Sequence, residues 1–292
     1  MELQWPLIIF TSLLAWCAGL FATQSLLAFK HEAQKSQMTA WIVSAALLVV
    51  GGIAVFLHLQ HWERIFNGFG HVTSGITQEL AAIVVLAVIA LIYVVYLRKD
   101  SGNVPAWLCV LAIAFSAALI IAMGHSYLMP SRPAWNSIFE IGSLFGAAFV
   151  LGPLTMAVIC ATKEENSDFL SSCALIGSTV NGVLVALYLI AMQMSAPAFD
   201  SYDTLYFDPT HPNIAPIDVS AATQVLTGAS APLTWILVVA VGIAAPIACA
   251  FLGKKKGNWK RYGSVGTACA LVGVIALRVV FYQAGSLVFG IY

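Results

Sequence analysis

The sequence predicts an all-α polytopic membrane protein, a bundle of eight transmembrane helices, and three observations predict it. Of its 292 residues 60% are hydrophobic and only 9% charged, against roughly 25% charged residues in an ordinary soluble domain. Eight apolar runs are each long enough to cross ~30 Å of hydrocarbon, which takes about 20 helical residues. The basic residues are also unevenly placed, gathering in alternate connectors between the runs. Thirteen Lys and Arg balance thirteen Asp and Glu, so net charge points neither to nucleic acid nor to a strongly anionic partner.

The spans fall near 5–29, 39–59, 78–97, 107–129, 138–161, 169–193, 232–252 and 262–289. The first is too long for a signal-peptide core and follows Met1-Glu2-Leu3-Gln4 instead of a basic stretch, so it is expected to remain in the mature chain. Gly51 and Gly52 in the second span, Gly142, Gly146 and Gly152 in the fifth, and Gly177 in the sixth are small enough to let neighbouring helices approach. Between spans six and seven lies the long connector 194–231, with Pro197, Pro209, Pro212 and Pro216. No internal repeat divides the chain, so 1–292 reads as a single membrane domain with 194–231 as its one sizeable loop.

Lys30, Lys35, Arg98, Lys99, Lys163, Lys254, Lys255, Lys256, Lys260 and Arg261 all lie in odd-numbered connectors. The even-numbered ones hold Arg64 and Arg132, and the long one carries Asp200, Asp203, Asp208 and Asp218 with no Lys or Arg. Because basic loops stay on the cytoplasmic side, both termini and the 194–231 loop are expected outside.

Ionisable groups in a bilayer are costly, and each is a functional candidate. At ~1.5 Å of rise per residue, His58 lies roughly 28 Å along span two, His125 roughly 27 Å along span four and Arg278 roughly 24 Å along span eight, all measured from the inner ends. Glu79 and Glu140 open spans that start outside. With Arg64 and Arg132 these groups converge on the outer half of the membrane. Arg278, followed by Val279, Val280 and Phe281, needs an anion or water inside the bundle. His31, His61, His71 and His211 lie in connectors, where solvation accounts for them.

A polar pocket at the outer boundary of an apolar bundle suits an amphipathic molecule that enters from lipid and reacts through hydroxyl groups, as a quinol does. Oxidising a quinol releases two protons with two electrons, so proton acceptors are needed. An imidazole such as His58 and a carboxylate such as Glu79 form a natural pair. Arg64 is positioned to keep the carboxylate ionised or to polarise a quinone oxygen. The six cysteines, Cys17, Cys109, Cys160, Cys173, Cys249 and Cys269, sit in or beside apolar runs without metal or redox spacing. The chain itself is expected to hold no iron-sulfur cluster.

At Leu57-His58-Leu59, Arg64-Ile65-Phe66-Asn67 and Gln78-Glu79 the chain resembles the membrane anchor subunit of dimethyl sulfoxide reductase and its relatives. Trp5-Pro6-Leu7-Ile8-Ile9-Phe10-Thr11 is similar to that family's opening. So are Pro133, Trp135 and Ser137 before span five, Gly152-Pro153-Leu154 within it, and Arg278 with Phe281-Tyr282 in the last span. The connector Gln60-His61-Trp62-Glu63 departs from the family's pattern of small residues and proline.

The resemblance implies a haem-free anchor in the bacterial cytoplasmic membrane that oxidises menaquinol to menaquinone. Electrons would pass to an iron-sulfur subunit and on to a molybdenum catalytic subunit. His58, Arg64 and Glu79 fall where the family has its functional residues, with Arg278 and Tyr282 as further quinone contacts. The same anchor run in reverse would reduce quinone with electrons from an oxidising partner such as a sulfite dehydrogenase. A transporter would carry its polar groups near the midplane, where these spans are nearly bare. A b-type cytochrome needs facing axial histidines, for which only His58 and His125 qualify.

Overall fold

A computed structural model describes residues 3–57, 71, 73–99, 103–199 and 220–285. Among them eight helices are long and apolar enough to cross a membrane: α1 (Trp5–Phe29), α2 (Gln34–Phe56, its first turn 3₁₀), α3 (Gly75–Lys99), α4 (Ala106–His125), α5 (Ile138–Thr162), α6 (Asp168–Gln193), α7 (Ala231–Lys256) and α8 (Trp259–Gln283). The eight expected spans are all present. Their ends differ by a few residues, and each difference has a local cause. Helix α4 stops at His125, where the chain turns through Ser126 and Tyr127 towards Pro130. Helix α7 runs on through Lys254, Lys255 and Lys256, cations that suit the negative end of a helix dipole. It closes on Gly257 at φ 69°, a left-handed conformation that glycine adopts without cost.

Burial separates the helices into a centre and a rim. About the most apolar window, 78% of α5 and 67% of α1 is buried, against 22% for α2 and 28% for α3. A helix that is apolar all round packs its small residues inward and leaves its large ones to lipid. Accordingly, Val49, Val50 and Ile53 of α2 and Leu91, Ile92 and Val95 of α3 face out.

Where α1 crosses α5, backbone meets backbone. A Cβ on Gly19 would sit 2.7 Å from the carbonyl carbon of Ala148, and one on Gly152 would fall on Gly19 itself. Helices α7 and α8 touch in the same way, with a Gly242 Cβ 2.5 Å from Cα of Gly273. Gly152 and Gly177 thus serve close packing as their size suggests, whereas Gly52 faces open space. Pro153 sits inside α5, where it can donate no backbone hydrogen bond. Two residues on, the Thr155 hydroxyl accepts the Trp16 indole N–H at 2.8 Å and ties α5 to α1.

The lysine-rich end is laced together across odd-numbered connectors. Glu165 accepts the Lys35 backbone N–H at 3.0 Å and the Ser36 hydroxyl at 2.5 Å, while Ser167 donates to Glu32. Just inside, Gln37 donates to the Gln24 carbonyl at 3.1 Å and accepts from the Tyr93 hydroxyl at 3.2 Å, joining α1, α2 and α3. These are satisfied buried amides and hydroxyls, as an apolar medium demands. The six cysteines are free thiols, four of them buried.

Candidate functional site

The opposite, lysine-poor end gathers the start of α3, the 126–137 connector, the start of α5 and the end of α8. Each carries at least one polar group into the interior. Glu79 is the fifth residue of α3, so its carboxylate stays near the membrane boundary, yet it is only 9% exposed. Beside it the Ser126 hydroxyl lies 3.3 Å from Glu79 Oε1 and 2.8 Å from the Met123 carbonyl. A hydroxyl has one proton, so Ser126 donates to an ionised Glu79 or, turned to Met123, accepts from a protonated one. The close approach depends on Gly75, where a Cβ would fall 2.7 Å from the Ser126 Cβ.

On the far side of the end of α4, Glu140 enters from the first turn of α5, which Ser137 caps by accepting the Phe139 N–H at 3.3 Å. Its Oε1 accepts Nη1 of Arg278 at 2.7 Å, and Nη2 donates to the Ser143 hydroxyl, also at 2.7 Å. Ser143 in turn donates to the Glu140 carbonyl at 2.7 Å. The Glu140 and Arg278 side chains are 0% and 2% exposed. An ion pair so removed from water persists only when its charges are paired and hydrogen bonded. The second oxygen of Glu140 points at Gly124, 2.9 Å from where a Cβ would stand, in the last turn of α4. Glu79 and Glu140 are close enough to interact electrostatically.

Aromatic rings close the site from above. The Tyr282 hydroxyl donates to that of Tyr127 at 3.2 Å, and both rings lie in the field of Glu79 and Arg278. Trp135 stacks on Phe281 with centroids 4.4 Å apart and planes 9° from parallel, and its indole N–H donates to the Phe281 carbonyl at 2.7 Å. The Arg132 guanidinium lies 4.5 Å over the Trp135 ring and donates to the Gly285 carbonyl. The Tyr188 hydroxyl donates to the Ala134 carbonyl at 3.2 Å. The connector is therefore pinned to the ends of α6 and α8.

A lipid-facing groove of about 500 Å³ runs along α1, α4, α5 and α6, lined among others by Ile113, Ala117, Ile120, Phe145 and Phe149. Ile120 and Phe145 lie one helical turn from Gly124 and Ile141, which meet beside Glu140.

Of the residues singled out from sequence, the structure brings Glu79, Arg278 and Tyr282 to one end of the bundle. His58 and Arg64 lie outside the described residues, as do His61, Asp203 and most of the long loop. The anion that Arg278 requires is Glu140. His125 is exposed at the end of α4 and His71 is exposed on the connector before α3. Among the described residues no three His, Cys, Asp or Glu side chains come together as a metal site. Ser126, Tyr127 and Ser143 escaped sequence reading. Glu140-x-x-Ser143, two polar groups one turn apart in an apolar run, was the available signal for the last.

Fold and site together define a multi-pass helical membrane protein with buried acid, hydroxyl and guanidinium groups at the end away from its lysines. More narrowly, the DMSO reductase anchor subunit (DmsC) family matches residues 1–204. The chain belongs to that family and is a membrane anchor of a DMSO reductase-type complex. Comparison with curated proteins finds no match. Arg278 and Tyr282 come from beyond the matched stretch but pack into the same site.

Proposed function

We propose that this anchor oxidises menaquinol at the lysine-poor end and hands the electrons to an iron-sulfur subunit, which feeds a molybdenum catalytic subunit. The observation that carries the reading is Glu79: a carboxylate almost wholly withdrawn from water, touched among the described residues by one hydroxyl and neighboured by Tyr127 and Tyr282. A carboxylate in that setting is a proton acceptor in want of a substrate hydroxyl.

The quinol ring lies against Glu79 at the membrane boundary, and its isoprenoid tail runs inward towards the apolar groove. Glu79 takes one hydroxyl proton and His58 the other. Arg64 favours the ionised form of Glu79 or polarises the ring oxygen, and Tyr282 and Arg278 bound the ring pocket on the α8 side. Two electrons leave for the partner's first cluster, and two protons leave through the lysine-poor face. That face is the outer surface of a bacterial cytoplasmic membrane, with both chain termini outside. Residues 60–74, 130–137 and 194–231 are the partner's docking region, because the first acceptor must lie near the ring.

Glu79→Gln keeps the size and the Ser126 contact but cannot accept a proton. In the assembled complex it should lower quinol-dependent turnover at least about 100-fold, within the range expected of a general base. Activity with a soluble artificial reductant, which bypasses the anchor, should remain. Full quinol activity in this variant would sink the assignment.

A further inference from the structure

Below the ion pair, towards the middle of the bilayer, α5, α6, α7 and α8 enclose a cavity of about 10 Å³ lined by Ser143, Asn181, Gly242, Gly273 and Arg278 among apolar neighbours. That is close to the volume a single water needs, provided two to four polar groups surround it. Two fully buried atoms of these residues have no partner among the described residues, Nε of Arg278 and Oδ1 of Asn181. One is a donor and the other an acceptor. The Asn181 amide is otherwise held: its Nδ2 donates to the Gly242 carbonyl at 3.4 Å, and its Oδ1 lies over Gly146, 2.9 Å from where a Cβ would stand. The Gly242 carbonyl belongs to a π-helical stretch of α7, Thr234–Ala244, so the cavity borders the one such stretch among the described spans. Ser143 receives Nη2 of Arg278 and donates to the Glu140 carbonyl, which leaves one lone pair on its oxygen.

We propose that this cavity binds one water, which accepts from Nε of Arg278 and donates to Oδ1 of Asn181 and to the Ser143 hydroxyl, and that Asn181 is thereby a positioning residue for the Arg278–Glu140 pair. The water satisfies the guanidinium nitrogen that lacks a partner among the described residues, the other two being bonded to Glu140 and Ser143. It extends a continuous polar chain from Glu140 near the membrane boundary to α6 and α7 at mid-depth. Leaving Nε buried and unbonded would cost as much as any lost hydrogen bond to a charged group. The polarity of the cavity wall is what makes hydration favourable over a dry void.

The proposal is tested on the whole purified complex. Cryo-electron microscopy at a resolution that shows ordered water should place one density peak within hydrogen-bonding distance of both Arg278 Nε and Asn181 Oδ1. Asn181→Leu keeps the branched outline and removes the acceptor together with the Nδ2 donor to the Gly242 carbonyl. It should lower the unfolding midpoint of the anchor by roughly 2–10 °C, whereas Asn181→Ser, which restores an acceptor and leaves room for water, should recover most of that. In an Arg278→Met, Glu140→Leu background the Asn181→Leu effect should vanish, because no charge is left to hold. A dry cavity in the map, or an equal loss from Asn181→Leu with and without the ion pair, would overturn the assignment.

Discussion

Replacing Arg278 by Met tests whether the buried pair organises the site. Met fills a similar volume without charge, so the packing against Phe281 is largely kept while Glu140 loses the charge-assisted bond that neutralises it. Glu140 is wholly buried and its Oε2 already has no protein partner, so the variant leaves a carboxylate with no neutralising contact. Breaking one side of such a pair costs about 3–5 kcal/mol. For a chain of this size each kcal/mol moves the midpoint by roughly 2–4 °C, so the drop should be about 10 °C. The double variant Arg278→Met, Glu140→Leu removes both charges and should recover most of the loss, since apolar replacement of a whole buried pair is often neutral or stabilising. Thermal unfolding of the complex in detergent, followed by the aggregation of this chain, reads both. If the single variant is as stable as the parent, or the double variant is less stable than the single one, the pair does not act as described.

The other predictions can be checked on the same preparation. His58→Ala and Arg64→Ala should each abolish quinol-dependent turnover while sparing the artificial donor, and normal quinol kinetics in both would remove the 58–64 stretch from the site. A cysteine replacing Asp203 should react with an impermeant thiol reagent in intact cells and one replacing Lys255 should not; the reverse pattern would turn the chain over and move the site to the cytoplasmic face. Gly19→Leu should prevent accumulation of folded anchor in the membrane, because its Cβ already collides with the Ala148 backbone, while Gly52→Leu, which meets only open space, should be neutral in the same expression assay.

The spans were legible because the bilayer imposes a length and an apolar composition on every crossing. That rule leaves its mark along each run from Trp5 to Gln283. Helix ends were less legible, since they depend on local chemistry: Gly257 lets α7 continue through three lysines, and the turn at Ser126 and Tyr127 ends α4 before its apolar run does. Glu79 and Arg278 could be singled out because a charge in an apolar run is costly anywhere. The partner of Arg278 could not be assigned, because the pairing of α5 with α8 rests on tertiary packing and not on any local pattern. Ser126, Tyr127 and Asn181 were hidden for a further reason: uncharged polar residues are common in membrane helices, and only the register between helices distinguishes a site hydroxyl from one bonded to its own backbone, as Ser178 is to Ala174.

The site combines two kinds of polar group that physical chemistry treats differently. Arg278, Glu140 and Ser143 are bonded to one another between α5 and α8, so the charges of the pair are committed to holding geometry. Glu79 is different: among the described residues one hydroxyl reaches it, that hydroxyl has a competing acceptor in Met123, and its element begins next to the connector that carries His58 and Arg64. In the proposed reaction Glu79 gains and loses a proton in every turnover, which a partner strong enough to fix one charge state would prevent, whereas a group that fixes a binding surface gains from being so held. In the proposed reaction the Arg278–Glu140 pair is therefore a fixed part of the electrostatic surroundings in which Glu79 exchanges its proton.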